Sequence, residues 1–570
     1  MGNFLKTQSI FSCGEVSPDF YAIDNSFGVS ELENMDVLQS GALKRRAGLK
    51  KIGQIIDGSI LVPFIISETE KYLLVIYEQS IDVYKNDTKI KTLVAPWPDT
   101  DLPKLQYAQR FNTLFFVHPD YQPRILTKTA NNFKLTTFSF FVNPDITINI
   151  PFTRFDDTAN ISITIGASDI DNNHALFTTN KDMWTNDWVG VRLFIHNKQW
   201  VIDSVQDARN AIAYTNGAFS LPQNPLSDWK EAAFSNMRGW PMSVSFHQNR
   251  LVFGGSPSAP NNIWMSKTGE YNNFDVGTGL DDEAIFVSLL SARHNHISTV
   301  ISSDTLQILT SVGEWAISNS PLTPSNINIK QHTSVGSIIS RYLPPQKIEG
   351  STVFISKSGQ DIRELDMDVL SQTYNATDLC HYAKHLMNNP LSIAYNSAEH
   401  RLYIVMENGK MAVLNKYPNT EVSAWGTYIT DGDFKYVAVL DDATYVFVKR
   451  QNNCFLEKFD TSYLKDSDTH LFSYKVSALP MIVNGHTPKT LRVRKVKLRL
   501  RNTKTVFINN ERLELPNEIY DETCDGYSGD LSLNLLGYQY GTMQPLWTIS
   551  SDESLPASIL SVTTDGWYSI

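Results

Sequence analysis

The chain has 570 residues, of which 42% are hydrophobic and 19% charged, and its formal net charge is −11. This length predicts about two to four domains, and the hydrophobic content excludes a wholly disordered chain. The acidic balance, with no strongly basic tail, argues against a general DNA-coating role. Four scattered cysteines without a C-x-x-C pair argue against a zinc module or a disulfide framework and are typical of free thiols.

The N-terminal residues lack the apolar core of a signal peptide, and no run reaches the ~18 apolar residues of a membrane span. Short alternating apolar runs dominate the chain from there to about residue 460, separated by Gly, Asn, Asp and Pro, which predicts strands and hairpins. The clearest hairpin turns at Asn408–Gly409, because Asn-Gly accepts the positive φ angles of a tight two-residue turn. Further turns are expected near Gln79, Pro119, Thr268, Val312, Ser358 and Asn452.

In chain order, the last five turns lie about 45 residues apart; they are at Thr268, Val312, Ser358, Asn408 and Asn452. The first two, at Gln79 and Pro119, lie about 40 residues apart. A repeat of this length built from strand hairpins is typical of β-propeller blades, whose small sheets must cover each other's faces. The sequence therefore predicts an all-β fold with a propeller-like body. The N-terminal hairpin and first blades are expected at 1–145, and the remaining blades at 236–465.

The segment 146–235 interrupts this rhythm with its own pattern of alternating Ile, Trp and Val residues. It is predicted to be a small β domain inserted in a loop between two blades, where insertions cost little stability.

A C-terminal β-sandwich domain is predicted at 466–570. Its most distinctive element is the run LRVRKVKLRLR (Leu491–Arg501), where apolar and basic residues alternate and the parity slips at Lys495, which predicts a β-bulge. One interpretation is that this face contacts an acidic subunit or DNA phosphate; the other is a solvated face that prevents edge pairing. The basic residues concerned are Arg492, Arg494, Lys497, Arg499 and Arg501.

A second basic cluster lies early in the chain and comprises Lys44, Arg45, Arg46, Lys50 and Lys51. It is a candidate contact with a neighbouring subunit or an adaptor protein. The alternative is a solvated hairpin tip.

Motifs for nucleotide binding, zinc proteolysis and serine hydrolysis are all missing from the sequence. His294 and His296 lack a visible third metal ligand, and Asp281-Asp282-Glu283 is more typical of a solvated loop than of a cation site. We therefore expect no catalytic residues, no metal and no cofactor.

Several collinear stretches together resemble one protein family, the tail nozzle or stub proteins of podoviruses and related gene transfer agents, also called tail tubular protein B. The stretches cover nearly the whole chain: NMDVLQSGALKRRAG (Asn34–Gly48), LQYAQRFNTLFFVHPDYQPRIL (Leu105–Leu126), WPMSVSFHQNRLVFGGS (Trp240–Ser256), IWMSKTGEYNNF (Ile263–Phe274), TSVGEWAIS (Thr310–Ser318), VFISKSGQDIREL (Val353–Leu365), YNATDLCHYAKHL (Tyr374–Leu386) and WGTYITDG (Trp425–Gly432).

The resemblance implies a structural virion protein that forms a ring, expected to be a hexamer, below the portal and adaptor. Such a ring encloses the channel through which double-stranded DNA leaves, without binding it specifically, and offers attachment for fibres or spikes. The resemblance also implies a location in the virion tail, assembly in the bacterial host cytoplasm and no stable membrane insertion. The alternatives from the residues alone are a soluble propeller binding module and, less favoured, a propeller hydrolase with two carboxylates across its funnel.

Overall fold

The computed structural model of the protein describes residues 2–569 except 22–26, 131, 169, 172, 218, 292, 369, 419, 484, 517–525 and 541–542; Cys524 lies outside the described residues. Strands carry almost all of the regular structure, which confirms the predicted all-β class. The helices of the described part are short 3₁₀ turns at Pro18–Phe20, Leu102–Lys104, Asp156–Thr158, Asn186–Trp188 and Lys384–Leu386. Within that part, no helix has the length and apolar character needed to cross a membrane.

The N-terminal strands precede the repeating part of the fold: β1 (Gly2–Gln8), β2 (Gly14–Glu15), β3 (Gly28–Glu33), β4 (Met35–Val37), β5 (Leu43–Arg45) and β6 (Gly48–Ile55). Strands β4 and β5 form the expected early hairpin, with Met35 opposite Arg45.

Antiparallel meanders of four consecutive strands then follow, and the described residues form six of them; a seventh four-stranded sheet is completed by β6. The first two consist of β7 (Ile60–Ile65), β8 (Lys71–Tyr77), β9 (Ser80–Lys85) and β10 (Thr88–Val94), then β11 (Gln106–Arg110), β12 (Thr113–His118), β13 (Tyr121–Thr129) and β14 (Asn132–Thr137).

The inserted segment forms a seven-stranded sheet of its own, between the second and third meanders in sequence. Its strands are β15 (Phe152–Thr153), β16 (Ile163–Ala167), β17 (His174–Thr179), β18 (Arg192–Ile195), β19 (Lys198–Val205), β20 (Asn210–Thr215) and β21 (Trp229–Ala232). Buried Trp184, Trp188, Trp200 and Trp229 fill its core.

Four more meanders and a shorter series follow. They are β22 (Ser243–His247), β23 (Arg250–Ser256), β24 (Ala259–Met265) and β25 (Ile285–Ser288); β26 (Ile297–Ser302), β27 (Leu306–Thr310), β28 (Glu314–Ile317) and β29 (Ile329–Thr333); β30 (Gln346–Ile348), β31 (Ser351–Ile355), β32 (Ile362–Asp368) and β33 (Thr373–Asp378); β34 (Pro390–Asn396), β35 (Arg401–Met406), β36 (Met411–Lys416) and β37 (Ser423–Tyr428); and β38 (Asp433–Leu440), β39 (Ala443–Arg450) and β40 (Asn453–Asp460). The last series becomes four-stranded because N-terminal β6 pairs with β40.

These small sheets bury their faces against their neighbours, as the propeller-like prediction requires. The chain forms two compact units. One comprises residues 1–92, 97–102 and 343–570, and the other residues 93–96 and 103–342. In the first unit, β34 packs against β38, and β38 packs against β7; in the second, β11 packs against β22, and β22 against β26.

Sequence turns fall where they are expected, with one change in geometry. Gln79 separates β8 from β9, and Val312–Gly313 separate β27 from β28. The prediction of a two-residue turn at Asn408–Gly409 is wrong. Only Gly409 has a positive φ, of 81°, and the Met406 N–H donates to the Lys410 carbonyl, so the loop spans three residues.

A two-sheet sandwich closes the chain. Its C-terminal strands are β41 (Tyr474–Ala478), β42 (Thr490–Thr503), β43 (Phe507–Ile508), β44 (Glu511–Arg512), β45 (Tyr527–Asn534), β46 (Gln539–Tyr540), β47 (Thr548–Ser551) and β48 (Ser558–Ser569). The sequence assigns this domain to 466–570 alone, whereas β1, β4 and β5 join one of its sheets and β2 and β3 join the other. Val476 and Ile549 from one sheet share a core with Val496 and Leu498 from the other.

Candidate functional site

Arg45 and Arg46, at the end of β5, are enclosed by the protein's own chain. They are 4% and 1% exposed. The expected solvated or docking surface is therefore wrong for these two residues. Strand β5 pairs with β4 on one side and with β48 of the C-terminal segment on the other, so the guanidinium groups at its end extend into protein.

The Arg46 guanidinium is held by partners distant in sequence. Its two terminal nitrogens donate to both carboxylate oxygens of Asp466 at 2.7 and 3.0 Å, and Nε donates to the Asn34 amide oxygen at 2.8 Å. A further hydrogen bond reaches the Ile429 carbonyl, and the Phe472 ring lies 3.6 Å from the guanidinium carbon. Because both charged groups have no exposed side-chain surface, this bidentate pair fixes the N-terminal strands against the last meander and the segment after it.

The ionic network continues through Asp466 into the last meander. Thr430 donates to the Asp466 carboxylate at 2.8 Å and also accepts a hydrogen bond from Arg450 at 2.9 Å. Arg450 in turn forms a bidentate pair with buried Glu457. Burial raises the pKa of Glu457, while the neighbouring Arg450 opposes that shift.

A second set of buried polar side chains is centred on Asp36. Asp36 on β4 accepts a hydrogen bond from the Tyr428 hydroxyl and pairs with Arg401 at 2.9 Å. Arg401 also pairs with Glu399 at 3.3 Å. Burial raises the pKa of Tyr428 well above its usual value, so this hydroxyl stays protonated and acts as a donor.

A cavity of about 350 Å³ in the first unit brings residues of the two predicted basic clusters together. Lys44, Arg45 and Arg46 line it from the early cluster, and Arg501 lines it from the end of β42. Nothing in the local sequence indicates this juxtaposition, since β5 meets β42 only through their common neighbour β48.

Three other basic residues of β42 are exposed and already have counter-charges. Arg494 pairs with Asp565 at 2.8 Å, while Lys497 and Arg499 both pair with Asp530, at 2.7 and 2.8 Å. The hydrogen bonds from Arg499 and Lys497 hold the pKa of Asp530 well below its usual range.

The side chain of Arg492 contacts the Tyr538 ring, at 5.1 Å from its centroid. The predicted bulge is confirmed, because the register between β42 and β48 shifts between Val493 and Lys495. Arg494 and Lys495 are consequently both exposed.

Lys50 and Lys51 lie on β6 rather than at a hairpin tip. Lys50 pairs with Asp87 at 3.2 Å, and the Lys51 ammonium lies 4.4 Å from the centroid of the Phe455 ring. Neither residue lines the cavity described above.

The acidic residues 281–283 form hydrogen bonds with neighbouring parts of the same chain. Buried Arg250 donates to the carbonyls of Asp281 and Glu283 at 2.7 and 2.5 Å. The Glu283 carboxylate accepts the N–H groups of Thr278, Gly279 and Leu280 at 2.6–2.8 Å. These backbone bonds hold the pKa of Glu283 below its usual value, so the loop is closed by hydrogen bonds of its own.

Asp361, Asp378 and Cys380 lie close enough together to suggest a metal site. The Lys384 ammonium instead takes the place of a cation, at 2.8 Å from Asp361 and 3.2 Å from Asp378. Burial raises the pKa of Cys380 to about 12, so its thiol is protonated and a poor metal ligand at neutral pH.

Residues 242–489 match the family model described as bacteriophage nozzle protein. This segment contains β22 to β41, and the match confirms the resemblance seen in the sequence motifs. No curated protein matches the chain.

Several solved structures are similar to the chain only loosely. BamB from Moraxella catarrhalis aligns with TM-score 0.33 and 8% identity, covering 72% of this chain and 100% of its own. Chaetomium thermophilum Raptor aligns with TM-score 0.35 and 11% identity, covering 73% of this chain and 29% of its own. The Cps50 (Swd1) beta-propeller domain of Myceliophteria thermophila aligns with TM-score 0.29 and 7% identity, covering 72% of this chain and 99% of its own. With scores this low, none of these likenesses bears on function.

Proposed function

We propose that the chain, which matches the bacteriophage nozzle family model over residues 242–489, is a structural protein of a phage tail and forms the ring-shaped nozzle below the portal and adaptor. The ring encloses the channel through which the genome is ejected. The observation that carries this proposal is the family match over residues 242–489, to which the collinear motifs outside that segment add support.

In the first unit, N-terminal residues pair with residues far along the chain. This arrangement suits a subunit that must stay folded during ejection. N-terminal β6 completes the sheet of β38–β40, and Arg46 pairs with Asp466 across 420 residues of sequence. Unfolding the N-terminal strands therefore breaks a sheet and a buried ion pair together, which favours a cooperative unit over one that frays.

The acidic balance of the chain suits a channel that releases DNA. Each copy has a formal net charge of −11. A lumen lined by Asp and Glu repels phosphates, whereas a basic lumen retains DNA through counterion release. We infer that lumen-facing loops are acidic, and a ring structure whose narrowest radius is lined by Lys and Arg would contradict this inference.

The proposed partners are further copies of the chain as a hexamer, the adaptor and portal, and fibres or spikes at the distal side. The channel DNA is passed without specific binding. In this role the chain carries out no chemistry, and it acts in the virion tail after assembly in the host cytoplasm. The particle carries either a phage genome or host DNA, as in a gene transfer agent.

The proposal is tested by deleting the gene and imaging the particles. We expect DNA-filled heads that carry the portal and adaptor but no density beyond the adaptor, with fibres missing as well. Complementation in trans should restore both. Particles of normal tail structure without this chain would contradict the nozzle role and favour a free binding module.

A further inference from the structure

The cavity of about 350 Å³ between β5 and the end of β42 has no assigned role. Five cationic and two acidic side chains line it, in a protein whose overall charge is negative. Its walls come from the early hairpin, the segment after β40 and the loop before β48, so the cavity belongs to the sandwich end of the first unit.

Two of these cations already have counter-charges. Arg46 is neutralised by Asp466, and Arg401 pairs with both acidic residues of the lining, Asp36 and Glu399. These ion pairs use all the carboxylates that line the cavity.

The other three cations have no such partner. Across the described residues, Lys44, Arg45 and Arg501 contact no carboxylate. Lys44 and Arg501 are exposed, so water solvates them in the isolated chain.

Arg45 is the unusual member because it is 4% exposed. One terminal nitrogen donates to the carbonyls of Leu464 and Phe472 at 3.1 and 3.2 Å. Its Nε and other terminal nitrogen are buried without a hydrogen-bond acceptor among the described residues. Burial and the adjacent Arg46 lower the pKa of Arg45 to about 10, which leaves it charged at neutral pH. The Phe472 ring lies 3.8 Å from the guanidinium carbon and the Asp466 charge offsets part of the burial cost, but no carboxylate reaches these two nitrogens. A buried cation with unsatisfied donors is stabilised by a further anion nearby.

We propose that this cavity is an anion site that receives a carboxylate, an Asp or Glu side chain of a neighbouring protein subunit. Lys44 and Arg501 contact the carboxylate, and the positive field of buried Arg45 favours it. Phosphate shares this oxyanion chemistry, but duplex DNA is bound by rows of cations that follow its backbone rather than by a single cavity.

The composition of the chain supports a protein as the source of the carboxylate. With 60 acidic and 49 basic residues, a second copy of this chain offers a surplus of Asp and Glu. The cavity is formed within one chain, so its anion binding is tested apart from the proposed ring, on which only the identity of the neighbouring subunit rests.

The experiment uses the purified full chain and three probes: a hexaglutamate peptide, inorganic phosphate and a short DNA duplex, each titrated by calorimetry at constant ionic strength. The test variant is Lys44→Gln with Arg501→Gln, both at exposed positions. The matched control is Lys51→Gln with Lys495→Gln, which removes the same charge from exposed residues outside the cavity. Thermal unfolding of all three proteins checks that they fold.

We expect the peptide to bind the wild-type chain and the control with affinities within about twofold, and the test variant about tenfold more weakly, since two charge-assisted contacts are lost. Equal weakening in both variants, or none in either, would overturn the proposal. Phosphate or duplex DNA binding that is sensitive to Lys44 and Arg501, with no peptide binding, would also overturn it by showing a different occupant.

Discussion

Arginines of the two basic clusters lie in opposite environments. In the early cluster, Arg45 and Arg46 are almost fully buried, and Arg46 forms a bidentate ion pair with a carboxylate that is equally buried. On β42, the side chains of Arg494 and Arg499 are 46% and 60% exposed and pair with carboxylates at the surface. Arginines from clusters of similar composition therefore lie at an internal junction in one case and on a solvated sheet face in the other.

The difference lies in what each strand packs against. Strand β42 has one face on the sandwich core, so alternation, together with the bulge at Lys495, keeps its basic residues off that core. Strand β5 is covered by the segment after β40, which supplies Asp466 and the Phe472 ring. Charge is visible in a sequence, but the counter-charge that determines burial is not, and for Arg46 it lies 420 residues away.

The largest expected effect comes from breaking the buried pair. Arg46→Ala leaves the Asp466 carboxylate buried without its guanidinium, and we expect a loss of about 3–5 kcal/mol in the free energy of unfolding. Arg494→Ala on β42 should cost at most about 1 kcal/mol, because its ion pair is exposed. Urea denaturation of both variants measures the contrast.

A double variant separates loss of charge from loss of packing. Arg46→Met with Asp466→Leu removes both buried charges, and we expect it to be less destabilised than either single variant. Equal stability of Arg46→Ala and Arg494→Ala would contradict the assignment of Arg46 to a buried junction.

An intermediate effect is expected at the start of β6. A Cβ added to Gly48 would lie 2.4 Å from the Lys465 carbonyl oxygen, whereas one added to Gly53 on the same strand meets nothing within 4 Å. Gly48→Ala should therefore cost about 1–3 kcal/mol through overpacking, and Gly53→Ala should be neutral or slightly stabilising.

Thermal unfolding of the two glycine variants provides the measurement. The same loss at both positions would show that the close approach of β6 to the segment after β40 does not constrain the fold.

The smallest effect concerns the exposed face and depends on pH. Because Arg499 and Lys497 lower the pKa of Asp530 below its unfolded value, its contribution is fully present above about pH 4 and is lost as pH falls toward the folded pKa. Asp530→Asn should therefore lower the melting temperature slightly at neutral pH, by much less than Arg46→Ala does.

The melting-temperature difference between wild type and Asp530→Asn should shrink in acid and with added salt. Melting curves at neutral and acidic pH test this. A difference that grows in acid would contradict the assigned ion pairs.

Local features of the fold could be predicted from the sequence. Hairpin turns such as Gln79 and Val312–Gly313 follow from turn residues between alternating runs. The bulge at Lys495 follows from the slip in the alternation of apolar and basic residues. Because one face of the strand is buried, an extra residue is needed there to keep the apolar side chains on that face.

Features that depend on pairing between distant parts of the chain could not be predicted from the sequence. The pairing of β1 with β48 joins residues more than 500 positions apart, and that of β6 with β40 joins the two ends of the repeating part. Neither leaves a local signal, because an edge strand carries the same alternation whichever partner it finds. The cavity shared by Lys44 and Arg501 is a consequence of such pairing and was likewise missed.

The nozzle assignment is tested most directly by counting this chain against the portal protein in purified particles by quantitative mass spectrometry. A ring of about six copies on a portal of about twelve subunits predicts a ratio near one half. Absence of the chain from the particles would contradict the assignment.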